Sequence, residues 1–175
     1  MKELVDILKH TKTHLMNGVS YMIPVVVGGG ILMAIAVLLT GQGAAPVWGS
    51  GIPYWLWTIG SDALGLMCPV FAAYIAYSIA DRPGIAVGMA GGFMALNIPT
   101  GFADGAVKTA SAGFIGAAIA GLLGGIIAHY LKKIPLPKSM QSLKSIIIIP
   151  VIGVLVVGII MFACGTPSAA FMTWL

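Results

Sequence analysis

Charge is scarce in this sequence. Charged residues make up 8% of the chain, where a soluble domain carries about 25%. Acidic groups are fewer still: the only glutamate is Glu3, and Asp62 is the only acidic residue well inside an apolar run. There is no Walker A loop, no zinc-ligand cluster and no nucleophile elbow, so catalytic and metal-binding residues are expected to be absent. Cysteine is limited to Cys68 and Cys164, both inside apolar runs. Two distant thiols supply neither a disulfide framework nor a metal site, and they read as small packing residues. Cys68-Pro69 has the Cys-Pro start of some phosphocysteine loops, but the apolar residues that follow leave no room for a phosphate nest. No cleavable signal peptide is recognisable, because the first apolar run is too long for a signal core.

What fills the chain is apolar. Hydrophobic residues make up 59% and the mean hydropathy is +1.02. A soluble fold of this length could not hide that much apolar surface from water, so the solvent is lipid. The sequence predicts an all-α, polytopic membrane helix bundle with glycine-rich packing. It has room for about five spanning helices and no separate soluble domain. The net charge of +4 comes from lysines lying between the apolar runs. It reads as a topology signal rather than as nucleic-acid binding.

Residues 1–14 precede the first span. Leu4, Ile7, Leu8, Thr11 and Leu15 recur at helical spacing, which fits a short amphipathic interfacial helix; a solvated cytoplasmic tail is the alternative. The membrane domain is predicted over 15–175, with spans at 15–39, 55–80, 83–102, 111–131 and 146–167. Trp48, Tyr54, Trp55 and Trp57 mark one membrane interface. The third apolar stretch, 85–98, is short enough for a re-entrant segment. Charge argues for crossing, because eight of the nine basic residues then share one side and only Lys108 lies opposite. The predicted topology is N-terminus in, C-terminus out.

Small residues recur every four positions on two spans: Gly84, Gly88 and Gly92 on the third, and Gly113, Gly121 and Gly125 on the fourth. Such flat stripes let helix backbones approach closely, within one subunit or at a dimer interface. Among polar groups, a carboxylate in lipid is costly, so Asp62 is a candidate for substrate or proton handling; a position near the headgroups is the competing reading. Asn97 is a second candidate substrate contact, or a polar bond between helices. Asp81 and Arg82 occupy a charged turn at the predicted cytoplasmic side, as a solvated turn, a pair or a partner contact. His129 closes the fourth span, where a cationic ring suits the helix dipole.

Three stretches carry a resemblance: HLMNGVSYMIPVVVGGGILMA (14–34), AAYIAYSIADRPGIAVGMAGG (72–92) and GFIGAAIAGLLGGIIAHYLKKIPLP (113–137). Their order and spacing resemble the fructose-family membrane subunit, enzyme IIC, of the bacterial phosphotransferase system, over essentially the whole chain. The resemblance implies a permease that moves fructose or a fructose-like sugar inward across the bacterial inner membrane. Phosphate comes from a phosphocysteine on a partner IIB, supplied by IIA. No cofactor and no nucleic acid are implied, and a homodimer is expected. Members of the family are about twice as long, and their Gly-Ile/Val-Thr-Glu sugar motif is absent from this chain. The resemblance therefore implies the scaffold and dimerisation half, as a truncated product, a fragment or one piece of a split permease. Two other readings stand beside it: a non-transporting membrane scaffold that binds a full-length permease, and an unrelated ion-coupled carrier using Asp62.

Overall fold

The computed structural model describes residues 2–41, 43, 45–103, 106–134 and 144–174, with side chains over 4–41, 43, 45–98, 111–134, 144–145 and 147–163. Lys138 lies outside the described residues, as do the side chains of Lys108 and Cys164. The helices are α1 (Lys2–Lys9), α2 (Thr11–Thr40), α3 (Ile52–Gly65), α4 (Met67–Ala80), α5 (Arg82–Leu96), α6 (Gly113–Lys133) and α7 (Ile149–Trp174). A π-helical turn, Lys144–Ile148, leads into α7, and a short hairpin of β1 (Ile98–Ala103) and β2 (Ala106–Ala110) joins α5 to α6.

Among the described residues, three stretches are long and apolar enough to cross a membrane: Thr11–Thr40, Ile52–Ala80 and Gly113–Lys133. The α7 helix, 26 residues from Ile149 to Trp174, is apolar as well. Bulky residues such as Val27, Ile31, Trp55, Leu155, Ile159 and Phe162 are exposed, while Ala72, Ala76, Ala117, Ala120 and Ala128 are buried. Some large side chains, among them Phe71, Ile75 and Met161, are buried as well. Many exposed bulky residues around an alanine-rich interior still suit lipid, where no hydrophobic effect draws large side chains inward and close backbone contact supplies the attraction. The fold is a membrane helix bundle.

The Ile52–Ala80 stretch is not one helix. It breaks at Leu66, whose amide still bonds to the carbonyls of Asp62 and Ala63. Pro69 explains the break. Its nitrogen has no hydrogen to give to the Gly65 carbonyl, and its ring crowds that position. Two compact units meet the same boundary: Ser20–Met67 forms one, and Met1–Val19 with Cys68–Leu175 forms the other.

In the smaller unit, α2 and α3 pack through glycine. Of the triplet in α2, Gly28 and Gly30 have open space where a side chain would start, and Gly29 alone is in close contact, against Gly60 of α3.

In the larger unit, α4 presents Cys68, Ala72, Ala76 and Ala80, all buried and four residues apart. The glycines of α5 fit that stripe. A Cβ on Gly84 would lie 2.5 Å from the Ala76 carbonyl oxygen, one on Gly88 2.5 Å from that of Ala72, and one on Gly92 2.8 Å from that of Cys68. From α6, Gly121 meets Ala72, with a would-be Cβ 2.8 Å from its carbonyl, and Gly125 meets Ala76 and Ile79. The α7 helix joins by valines set into glycine hollows: Val87 of α5 faces Gly153, and Val157 of α7 faces Gly91. Phe71 closes one side by stacking on Phe114, with ring centres 4.1 Å apart.

The third predicted span, 83–102, needs correction. The helix ends at Leu96, and Ile98 begins a strand. Pro99 is the cause: it disfavours helical backbone at Ile98 and cannot donate an i→i−4 bond. The strands pair from Ile98↔Ala110 to Ala103↔Ala106, with an irregularity between Pro99 and Gly101. Asp104-Gly105 lies between them, the residue pair favoured in two-residue hairpin turns. At 15 residues and about 1.5 Å each, α5 is shorter than the about 30 Å of a hydrocarbon core.

Candidate functional site

Polar side chains gather at one end of the larger unit, where α4 and α6 finish and α5, α7 and α2 begin. Asp81 is the turn between α4 and α5. It caps α5 with φ 59° and ψ −150°, a backbone region that costs a residue other than glycine about 1–3 kcal/mol. The surroundings hold it there. Its amide bonds to the Tyr77 carbonyl at 2.8 Å, its carbonyl accepts from Gly84 at 3.0 Å, and Pro83 and Gly84 are buried. Its carboxylate pairs with the Lys132 ammonium at 2.5 Å, both side chains being largely exposed. An exposed pair contributes only about 0–1 kcal/mol, so helix packing rather than the ion pair enforces the strained turn.

Lys144 stands opposite. It is 8% exposed and is the only buried charged side chain among the described residues. Its ammonium donates to the carbonyls of Lys132 and Ile134. These belong to the last turn and the C-terminal cap of α6, where carbonyls have no helical partners and the dipole is negative. Lys144 thus caps α6 from the far side of the connector. The π-helical turn that carries it precedes Pro150, whose ring could not be accommodated by an uninterrupted α-helical ladder.

His14, in the first turn of α2, reaches α4. The Ser78 hydroxyl donates to the Ile75 carbonyl at 2.8 Å. Its oxygen is then free to accept from His14 Nδ1 at 2.7 Å. One turn on, Gly18 sits against Phe71 and Ile75, so close that a Cβ would lie 2.8 Å from the Phe71 carbonyl oxygen. His10 turns away, toward Asp6 on α1.

The residues singled out from sequence fall in separate places. Asp62 is exposed on α3 in the smaller unit, and no side-chain partner is found for it among the described residues. Asn97 is exposed and ends α5. Its amide nitrogen donates to the Phe93 carbonyl at 3.3 Å, a capping role. Gly84, Gly88, Gly92, Gly121 and Gly125 line the packing of α4, α5 and α6. Gly113 does something else. With φ 54° it turns the chain into α6, and its amide donates to Ser111 Oγ at 3.1 Å. His129 packs edge-on to Tyr130. The roles of Lys144, Ser78 and His14 are absent from the sequence reading. No signal separates Lys144 from the other lysines of its basic stretch, because burial follows from where the connector returns.

Such a bundle, with a strained charged turn at one end and apolar flanks, is that of a multi-helix membrane protein. The phosphotransferase system EIIC family matches residues 16–175, and the chain belongs to it. It is 47% identical over 173 residues to the fructose-like permease IIC component 2 of Escherichia coli (strain K12), covering 97% of this chain and 45% of that protein. It is 43% identical to the PTS system fructose-specific EIIABC component of Bacillus subtilis (strain 168), over 93% of this chain and 25% of that one. With the PTS system fructose-specific EIIC component of Haloferax volcanii it shares 38% over 91% of this chain and 45% of that one. The chain therefore spans less than half the length of these relatives. No solved structure matches it.

Proposed function

We propose that this chain is the first, scaffold-forming part of a fructose-like sugar permease of the phosphotransferase system, working with a partner IIB charged by IIA. The observation that carries the reading is the 47% identity to a fructose-like permease IIC component along nearly the whole chain. A relative in which EIIC is joined to EIIA and EIIB supports the partners. We place it in the bacterial inner membrane, N-terminus in, with five crossings, the α5 crossing extended by the hairpin 98–110. In that orientation Asp81, Lys132 and Lys144 lie at the cytoplasmic face, the side from which a phosphoryl donor acts. Two copies pair through exposed apolar helix faces, since α4 already covers the stripes of α5 and α6.

The test is phosphoenolpyruvate-dependent fructose phosphorylation in membranes supplied with IIA and IIB. The expected result is activity when this chain is co-expressed with the remainder of the Escherichia coli relative, and none when either is omitted. No phosphorylation in the combination, with both pieces present in the membrane, would reject the reading in favour of a non-transporting scaffold.

A further inference from the structure

Two small hollows of the smaller unit lie where α2 ends and α3 begins. One, of about 250 Å³, is walled by Trp48, Tyr54, Trp55 and Ile59. Trp48 and Tyr54 meet edge-on, with ring centres 5.0 Å apart and planes at 79°, so their rings form a corner. Trp48 is 84% exposed and Trp55 70%. The other hollow, of about 260 Å³, has a mixed lining that includes Thr40, Pro46, Ser50 and Pro53. Successive residues line one hollow each: Val47 and Trp48, then Pro53 and Tyr54. Three hydroxyls border the pair, and each has given its proton to a carbonyl: Thr40 to Val37 at 2.7 Å, Ser50 to Val47 at 2.8 Å and Thr58 to Tyr54 at 2.9 Å. Their oxygens are left to accept. Pro46 and Pro53 add no backbone donor.

We propose that these hollows are a capture site for a neutral polyhydroxylated ligand, a hexose or hexitol. Its C–H face packs on the exposed indole rings, and its hydroxyls donate to Thr58 in one hollow and to Thr40 and Ser50 in the other. The occupant has to donate hydrogen bonds, carry no charge and offer apolar surface. A sugar does all three, because its polarised C–H groups suit the electron-rich face of an aromatic ring. An anion, a lipid phosphate included, finds no cation there, since residues 40–61 contain none. A membrane anchor needs only the rings and leaves the accepting hydroxyls unused. In the proposed orientation the site opens outward, where sugar arrives; that side, and fructose as the probe, rest on the sugar-permease reading.

The test is saturation-transfer NMR, which reads weak binding on the sugar itself. The full chain is used alone, in a detergent that has no sugar headgroup. Because IIA and IIB are left out, a failure to bind and a failure to phosphorylate are separate results. Fructose is expected to take up saturation from aromatic protons in a saturable way. Fully O-methylated fructose, which keeps the C–H surface and cannot donate, should neither bind nor displace it, and neither should inorganic phosphate. Trp48→Leu combined with Trp55→Leu is expected to weaken binding about tenfold, as loss of an aromatic anchor does. Ser50→Ala with Thr58→Val should weaken it several-fold. Trp57 lines neither hollow, so Trp57→Leu should leave binding unchanged. Where a variant fails to accumulate, the comparison of fructose with its O-methylated form on the unaltered chain decides. No saturable transfer from fructose, equal binding of the O-methylated sugar, displacement by phosphate, unchanged binding in the Trp48 and Trp55 double variant, or an equal loss in Trp57→Leu would overturn the site.

Discussion

Gly29 of α2 and Gly60 of α3 meet backbone to backbone in both directions. A Cβ on Gly29 would lie 2.8 Å from the Gly60 carbonyl oxygen, and one on Gly60 2.7 Å from that of Gly29. Neither oxygen is on a flexible side chain, so neither can move aside cheaply. The contact joins α2 to α3 within the unit Ser20–Met67, and the two neighbours of Gly29 make a natural control.

Gly29→Ala and Gly60→Ala are each expected to destabilise the smaller unit by about 1–3 kcal/mol through overpacking. Gly28→Ala and Gly30→Ala have open space and gain helix propensity, so they should be neutral or slightly stabilising. Thermal unfolding in detergent checks this. Equal losses at positions 28 and 29 would mean that α2 is rotated from the orientation described.

In the larger unit, Gly88→Leu and Gly121→Leu would drive side chains into the Ala72 carbonyl, 2.5 Å and 2.8 Å from the respective Cβ positions. Both should fail within a single chain, with low abundance and early unfolding, whereas the half-buried Val37→Leu should accumulate normally. Size-exclusion in detergent separates this from a dimer defect. A well-folded monomer in either glycine variant would show that the stripe serves association between chains instead.

The bond between His14 and Ser78 ties the start of α2 to α4. Its net contribution is expected to be about 0.5–1.5 kcal/mol. A double-mutant cycle with His14→Leu and Ser78→Ala should show a coupling of that size. Strictly additive losses would mean that the two side chains do not interact in the membrane.

Topology is open to a direct check. A reporter fused after Lys138 should read cytoplasmic and one at Gly105 periplasmic, because eight of nine basic residues then share one side. Since α5 is only 15 residues long, this experiment bears on whether α5 and the hairpin together cross. Both fusions on one side would leave them re-entrant.

Cys68 is buried on α4 beside Gly92. With its backbone carbonyl rather than its thiol in the closest contact, Cys68→Ala should leave any reconstituted sugar phosphorylation within about twofold, at a stability cost of about 1 kcal/mol. Loss of phosphotransfer at normal protein abundance would assign the thiol a chemical role.

Composition alone leads to lipid as the solvent, because a chain with 8% charged residues has too little polar surface to face water. Four-residue spacing leads equally directly to close helix packing, because it places small residues on one helical face. The hairpin was legible in principle: Pro99 stops the helix and Asp104-Gly105 favours a tight turn, yet hydropathy runs through both. Partners were not legible. Nothing local distinguishes Gly29 from Gly28 and Gly30, or Lys144 from the other lysines of its stretch, and the ladder Cys68, Ala72, Ala76, Ala80 is unremarkable until α5 lies on it. Those choices depend on how each helix is rotated about its axis and where it crosses its neighbour. Both are set jointly by residues far apart in the chain. Hydropathy and spacing act along one strand of residues, whereas a contact needs two strands placed in space, and only the folded bundle supplies the second.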